Sequence, residues 1–338
     1  MMHSLTLTGI WEPSSSDDGE GRVSKDDPPS RPASVPLFAG SPFRVLVFLL
    51  FVALTGEILA SPPPRYGLSG LSAFVDAGLL IPNAKQAIFY DGRPDRPNTI
   101  DRVLHSEAYG HQIWSSLKNQ GYLQGVGSYS EITLADYPEM YYKLSYQIGL
   151  GFRYDYDNGL GWMLRFDYST LTAAGIFHIN NTAGATVLTN QDSYINCNMV
   201  GRENRIYIDL GLLKRVRLAG GMELELSAGF NFNNTKVKEH QMQIGGQNYS
   251  ILDVWGSNNL YSGIGTYEYI NQGGIGYGCF GGVALCYAIA TVGSVDLGYD
   301  CYYTKTVYRD FNESDAFALQ HVVFLRVNVN NFSFFGKD

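Results

Sequence analysis

Between residues 142 and 170 apolar and polar side chains alternate with a period of two, folded about Asp157-Asn158-Gly159. On the first arm Tyr142, Leu144, Tyr146, Ile148, Leu150, Phe152, Tyr154 and Tyr156 share one face. Lys143, Ser145, Gln147, Gly149, Gly151, Arg153 and Asp155 take the other. The second arm sets Leu160, Trp162, Leu164, Phe166 and Tyr168 against Gly161, Met163, Arg165, Asp167 and Ser169. This alternation predicts two antiparallel strands, and Asn-Gly predicts a hairpin in which both central residues take positive φ.

The same period predicts six more strands. In 71–80, Leu71, Ala73, Val75, Ala77 and Leu79 oppose Ser72, Phe74, Asp76 and Gly78. In 205–213, Ile206, Ile208, Leu210 and Leu212 oppose Tyr207, Asp209 and Gly211, with Arg205 on the polar side. In 222–233, Met222, Leu224, Leu226, Ala228, Phe230 and Phe232 alternate with Glu223, Glu225, Ser227, Gly229, Asn231 and Asn233. In 275–289, Tyr277, Val283, Leu285 and Tyr287 face away from Gly276, Gly278, Phe280, Gly282, Ala284 and Ala288. A seventh segment opposes Val295, Leu297, Tyr299, Cys301 and Tyr303 to Asp296, Gly298, Asp300 and Tyr302. The eighth, 321–335, opposes Val323, Leu325, Val327 and Val329 to Arg326, Asn328 and Asn330.

The polar faces are Gly-rich and carry both charge signs, while the apolar faces place Tyr and Trp near strand ends and aliphatics between. That is the layout of strands crossing a bilayer, with the apolar face to lipid and Tyr142, Tyr154, Trp162, Tyr168 and Tyr303 at the interfaces. A tilted spanning strand needs about 9–11 residues, which the hairpin arms supply. The connections alternate between short (157–159, 216–221, 291–294) and long (about 81–140, 172–203, 235–274 and 307–319). The expected fold is all-β: an eight-stranded antiparallel up-and-down transmembrane β-barrel with four long extracellular loops. A further hairpin within 104–139 would raise the count to ten.

Composition fits this reading. Charged residues are only 17% of the chain, and the net charge is -8. That excludes a nucleic-acid binder and a charge-rich disordered chain. The near-neutral mean hydropathy is what barrels show, since half of each strand is polar. Residues 1–43 are rich in Ser, Pro, Asp and Glu and are expected to lack packed structure. The apolar run 45–54 after Arg44, followed by Ile58-Leu59-Ala60-Ser61, predicts a signal peptide over 44–60, cut near Ala60. A membrane-anchoring helix is the rival, and Gly56 and Glu57 interrupt it. The acidic prefix points to a translation start further downstream. Residues 61–338 form the barrel domain in this scheme.

Arg205-Ile-Tyr-Ile-Asp-Leu-Gly-Leu-Leu-Lys214, Met222-Glu-Leu-Glu-Leu-Ser-Ala-Gly-Phe230 and Val322-Val-Phe-Leu-Arg-Val-Asn-Val-Asn-Asn-Phe-Ser-Phe-Phe335 carry a resemblance. The chain resembles the small outer-membrane β-barrels of Gram-negative bacteria, of the OmpA- and OmpX-like type, and more particularly those common in Bacteroidetes. The last stretch is similar to that family's C-terminal assembly signal but continues with Gly336-Lys337-Asp338. The resemblance implies a place in the cell outer membrane, contact with its lipid, and insertion by the barrel assembly machinery.

The inward face is expected to collect Asp76, Lys143, Arg153, Asp155, Arg165, Asp167, Arg205, Asp209, Glu223, Glu225, Asp296, Asp300 and Arg326. An eight-stranded interior is just wide enough for side chains to fill, so these charges are expected to pair as a plug; a narrow conducting path is the rival. The loops hold Tyr, Asn, Gly and Ser with Trp114 and Trp255, suited to a surface ligand. His105, His111, His178, His240 and His321 show no metal-ligand spacing, and no Gly-x-Ser-x-Gly elbow accompanies them. No catalytic residue, metal site or cofactor is expected. Cys197, Cys279, Cys286 and Cys301 are expected to be free thiols, with Cys279 and Cys301 on the lipid face and Cys286 inside. The function expected is non-catalytic, in envelope structure or surface interaction. A narrow porin, a secreted ligand-binding barrel and a lipid-modifying barrel enzyme are the alternatives.

Overall fold

The computed structural model describes residues 70–181, 193–218, 221–252, 271–289, 293–309, 311 and 317–330. The expected signal segment, Trp255, the first half of the turn at 291–294 and the aromatics after Asn330 lie outside these residues. The strands are β1 (Gly70–Ile81), β2 (Leu134–Asp136), β3 (Tyr141–Tyr142), β4 (Ser145–Asp155), β5 (Leu160–Asn180), β6 (Tyr194–Arg217), β7 (Met222–Ile244), β8 (Gln247–Ser250), β9 (Ile275–Ile289), β10 (Gly293–Lys305) and β11 (Ala318–Asn330). All pairings are antiparallel. The order β5-β4-β1-β11-β10-β9-β7-β6 returns to β5, so each of these strands has a neighbour on both edges.

The period-two pattern sets the two walls of this ring. Val75, Leu150, Leu210, Leu325, Val327 and Val329 are exposed on the outside, while Ser72, Arg153, Asp209, Glu225, Arg326 and Asn328 are buried within. Tyr154, Tyr156, Trp162 and Tyr287 stand outward near the end that carries the tight turns, and Tyr146, Tyr168, Tyr277 and Tyr303 stand outward toward the other.

The hairpin at 157–159 differs in detail from the expectation. Gly159 alone takes positive φ (87°), and Tyr156 N donates to Leu160 O at 2.8 Å. A three-residue connection places only its last residue in the left-handed region, so Asn158 needs no positive φ.

Three strands run far past their predicted ends: β5 has 21 residues, β6 has 24 and β7 has 23, against 11 for β4. Much of the connections expected at 172–203 and 235–274 is therefore sheet. Beyond Thr170, Asn204 and Thr235 the alternation continues with its polarity exchanged. Leu171, Ala173, Phe177, Ile179, Ile195, Cys197, Met199, Val237, Met242 and Ile244 are buried inside, and Asn196, Asn198, Lys236, Lys238 and Gln243 are exposed outside. A search for apolar residues on one constant face ends where that exchange begins.

The stretch 82–140 folds as a cap on this extension rather than as an extra hairpin. It contains a 3-10 turn (Ala84–Tyr90) and short helices (Ile100–Leu104 and Gly110–Asn119). Their Phe89, Tyr90, Ile100, Val103, Leu104, Ile113 and Leu117 are fully buried in one apolar cluster with the inner face of the extension. The helices are too short to be stable alone, and burial of this apolar face holds them. Trp114, expected in a solvated loop, is half-buried and donates Nε1–H to Val126 O at 3.2 Å. The extension's edges are covered by β8 on β7 and by β2 and β3 on β5.

Candidate functional site

The interior side chains form three levels. At the turn end, Glu225 accepts from Arg153 (3.0 Å), Arg326 (3.0 Å) and Arg215 (3.1 Å). Arg153 also pairs with Asp155 at 2.9 Å, and Asn328 donates to Asp296 at 2.6 Å. The Arg326 guanidinium lies between the Phe74 and Phe324 rings, 4.6 and 4.5 Å from their centroids. Phe74 itself fits because Gly151 has no Cβ to meet its ring.

One level up, Arg165 bridges Asp209 (2.6 Å), Asp300 (2.7 Å) and Asp167 (3.1 Å). Tyr302 and Asn231 donate to Asp209 at 2.8 and 2.6 Å. The planar guanidinium is suited to this work, since it serves several carboxylates at once from fixed positions.

The third level lies where the ring's polarity changes, and its centre is Glu203. That carboxylate is fully buried and accepts from the hydroxyls of Tyr90 (2.8 Å), Tyr142 (3.0 Å) and Tyr308 (2.7 Å). Arg205 pairs with it at 2.6 Å and reaches Gln86 at 2.8 Å and Gln320 at 3.2 Å. Tyr90 and Gln86 belong to the cap and Tyr308 to the connection after β10, so one carboxylate ties two connections to the wall. Burial, and then the Glu203 charge, push the Tyr90 and Tyr308 phenols above their ordinary range. Both therefore remain donors. Tyr90 seats against Gly201, where a Cβ would fall within its ring.

The cap is tied down on other sides as well. Asn98 and Gln272 exchange amide hydrogen bonds at 2.7 and 3.1 Å. Asn83 donates to Leu319 O at 3.0 Å, and Arg102 to Ile251 O at 3.2 Å. Phe89 stacks on Tyr308 with centroids 4.3 Å apart. Tyr137 donates to Asp101 at 2.7 Å, and burial together with that carboxylate pushes its hydroxyl up to about 12.

Asp76, Arg153, Asp155, Arg165, Asp167, Arg205, Asp209, Glu223, Glu225, Asp296, Asp300 and Arg326 lie buried on the inner wall. Lys143 does not, and Tyr142 is not an interface aromatic. Both Lys143 and Leu144 are exposed between β3 and β4, which shifts the parity by one and turns Tyr142 inward to Glu203. Tyr154, Trp162, Tyr168 and Tyr303 face outward. Sequence reasoning missed Glu203 and Arg215. Glu203 stands two positions before Arg205 on the same face, a signal that the assignment of 172–203 to a loop concealed.

All four cysteines are free; Cys197 and Cys286 are buried inside. Cys301 is also buried, although its parity is outward, with Tyr299 and Tyr303 two positions away on that same wall. Glu225, Cys286 and Asp296 bring donor atoms close enough for a metal ion, yet Arg153, Arg215 and Arg326 already hold those carboxylates. The histidines take separate partners: His240 the Tyr90 carbonyl, His178 Asp136, His105 the Ile132 carbonyl and His321 Tyr299. Among the described residues no helix is long and apolar enough to cross a membrane.

The chain matches no protein-family model and no curated protein. Among solved structures it is similar to Neisserial surface protein A, with a TM-score of 0.34 and 10% identity over 78% of this chain and 98% of that one. It is also similar to Ail, the attachment invasion locus protein of Yersinia pestis, at a TM-score of 0.29 and 9% identity over 77% of this chain and 97% of that one. A second structure of Ail, in complex with the heparin analogue sucrose octasulfate, has a TM-score of 0.28 and 10% identity over the same shares, 77% and 97%.

Proposed function

We propose that this chain is an integral outer-membrane β-barrel, non-catalytic, with a sealed lumen, whose work is done by the cap and sheet extension standing outside the membrane. One observation carries the reading: β5, β6 and β7 each change from apolar-out to apolar-in along their own length, and β6 does so while staying paired with β5 and β7 throughout. A sheet surrounded by one solvent has no reason to do that. A sheet that leaves hydrocarbon for water must.

In this reading the ring with its apolar wall spans the bilayer, the tight turns face the periplasm and the long connections lie at the cell surface. The exposed apolar band also argues against a secreted soluble barrel, because such a surface in water drives aggregation. The three levels of ion pairs fill the lumen, which supports a plug over a porin. The capped, Asn- and Gln-bearing extension supports surface interaction as the role.

Epitopes inserted at 157–159 and in the connection 181–193 test the topology. Antibody is expected to reach the second on intact cells and the first only after permeabilisation. Equal access to both, or recovery of the chain in the soluble fraction, removes the reading. Planar bilayers holding the purified protein are expected to stay silent, and steady unit conductance would overturn the sealed lumen.

A further inference from the structure

Five arginines fill the interior, and most of the described lysines stand outside, although Lys214 is buried and Arg202 is exposed. Arg153, Arg165, Arg205, Arg215 and Arg326 are buried in the interior, whereas Lys85, Lys118, Lys143, Lys236 and Lys238 are exposed. The exposed set is unevenly spread. Lys143 lies level with Thr172, Thr172 pairs with Arg202, and Arg202 pairs with Glu239. One row nearer the apolar band, Thr170 pairs with Asn204 and Asn204 with Lys236. Lys238 is pushed out by the irregularity at Arg202/Glu203. Four cations thus share the outer wall from the β3–β4 junction across β5 to β6 and β7, interspersed with hydroxyl and amide groups.

From this we infer that the outer wall from the β3–β4 junction to β7 is a docking surface for the phosphate headgroup of an anionic membrane lipid, with Lys143, Arg202, Lys236 and Lys238 as its cations. The inference rests on the membrane assignment and names the lipid chemistry that meets one sector of the wall. Position supports it. The next outward row below Thr170, Asn204 and Lys236 is Tyr168, Ile206 and Asn234, and the apolar wall continues below that. From Tyr168 to Thr172 the strand rises about 13 Å at roughly 3.3 Å per residue, less once tilted, which is headgroup depth.

Charge supports it too. Glu239 is the acid within the patch, 3.5 Å from Arg202, and leaves the cations in excess. Asp136 stands higher, engaged with His178, and Glu139 lies beside Gly175. Lys143, Lys236 and Lys238 bring compact hydrated ammonium groups to mobile phosphates, and Arg202 adds a planar guanidinium that can take two phosphate oxygens. The apolar wall below is continuous with the patch, so a lipid whose chains lie on Tyr168, Ile206 and Phe232 brings its headgroup to these cations.

The full chain, folded into phosphatidylcholine bilayers, tests this with spin-labelled phosphatidic acid and spin-labelled phosphatidylcholine as probes. Electron paramagnetic resonance reads the motionally restricted fraction of each. The phosphatidic acid is expected to be enriched about fivefold at the site, a preference lost at about 1 M salt. The variant Lys143→Gln/Arg202→Gln/Lys236→Gln/Lys238→Gln is expected to abolish it, and Lys118→Gln on the cap to leave it. Heat-modifiable gel migration checks folding in each case. If the fourfold variant does not fold, Lys236→Gln/Lys238→Gln and the salt dependence of the unaltered chain decide. A folded, bilayer-inserted protein without headgroup preference, or one whose preference survives the variants, overturns the proposal and leaves the barrel assignment standing. A chain that never inserts removes the barrel assignment itself.

Discussion

Along β5, β6 and β7 one molecule shows two opposite solutions to burial. Nearer the tight turns the interior holds Arg165, Asp167, Asp209, Glu225 and Asn231 and the outside Leu164, Phe166, Ile208, Leu210 and Phe230. Further along, the interior holds Phe177, Ile179, Cys197, Met199 and Met242 and the outside Asn196, Asn198, Lys236 and Gln243. The pairing of β6 with β5 and β7 runs on across the change, with one register irregularity at Arg202/Glu203, while β5 and β7 exchange their outer neighbours β4 and β9 for the short strands β2, β3 and β8. The strand backbone thus accepts either wall as the apolar one, and in the proposed reading the solvent each half meets decides which. The halves also differ in what fills them: pairs of charges satisfy a narrow polar lumen, whereas the wider-reaching extension needs a separate cap of helices to close its apolar face.

Glu203 joins the two halves, and its removal should break the comparison most severely. Glu203→Ala leaves Arg205 buried without its carboxylate and three phenols without their acceptor, at a cost of about 3–5 kcal/mol. Loss is expected in the cap first, read as faster proteolysis within 82–140 while heat-modifiable migration of the barrel persists. Simultaneous loss of both would mean that the halves are one cooperative unit.

The two outer walls can be compared by one substitution made twice. Leu210→Arg puts a charge in the middle of the apolar band and is expected to cost about 2–4 kcal/mol in lipid. Asn196→Arg, on the exposed polar wall of the same strand, is expected to change stability by less than about 0.5 kcal/mol. Denaturant unfolding in bilayers measures both, and equal costs would contradict a change of solvent along β6.

Most of the lower half was legible in the sequence because a single rule, period two with a fixed apolar face, holds over it. Every expected inner charge except Lys143 lies where that rule puts it. The upper half was read as loops for a physical reason: its strands obey the same period with the opposite face apolar. Val200-Gly201-Arg202-Glu203 then looks like the end of a strand when it is the middle of β6. The cap was illegible for another reason. Its helices of 5 and 10 residues exist through contact with a wall drawn from distant segments, and nothing local announces that. Lys143 failed because a single unpaired step between β3 and β4 inverts parity, which no alternation count detects.

A smaller change sharpens how the cap sits on the wall. Gly201→Ala places a methyl group where the Tyr90 ring lies, and the ring must move away from Glu203. The expected cost is about 1–3 kcal/mol. It should be confined to the cap, with Tyr90 fluorescence and protection of 82–140 altered and the lower half unaffected. Gly151→Ala, against the Phe74 ring and the Leu164 carbonyl, should instead weaken the lower half, so the pair of glycine variants separates the two regions.

The smallest effect expected is one of pH, and it too should divide the halves. Tyr137, bound to Asp101 at 2.7 Å, keeps its proton up to about pH 12 when folded, against an ordinary value of 10.0. A phenol held protonated in this way contributes stability that is present in full below pH 10.0 and is lost as pH rises toward about 12, because the unfolded segment releases its proton first. Tyr90 and Tyr308 are raised in the same direction by burial and by Glu203 and add to the slope. Proteolysis of 82–140 should therefore accelerate between pH 10 and 12 while the barrel's gel migration holds. Tyr137→Phe should flatten part of that dependence by removing one titrating group, and a slope unchanged in the variant would place the alkaline sensitivity entirely on the phenols around Glu203.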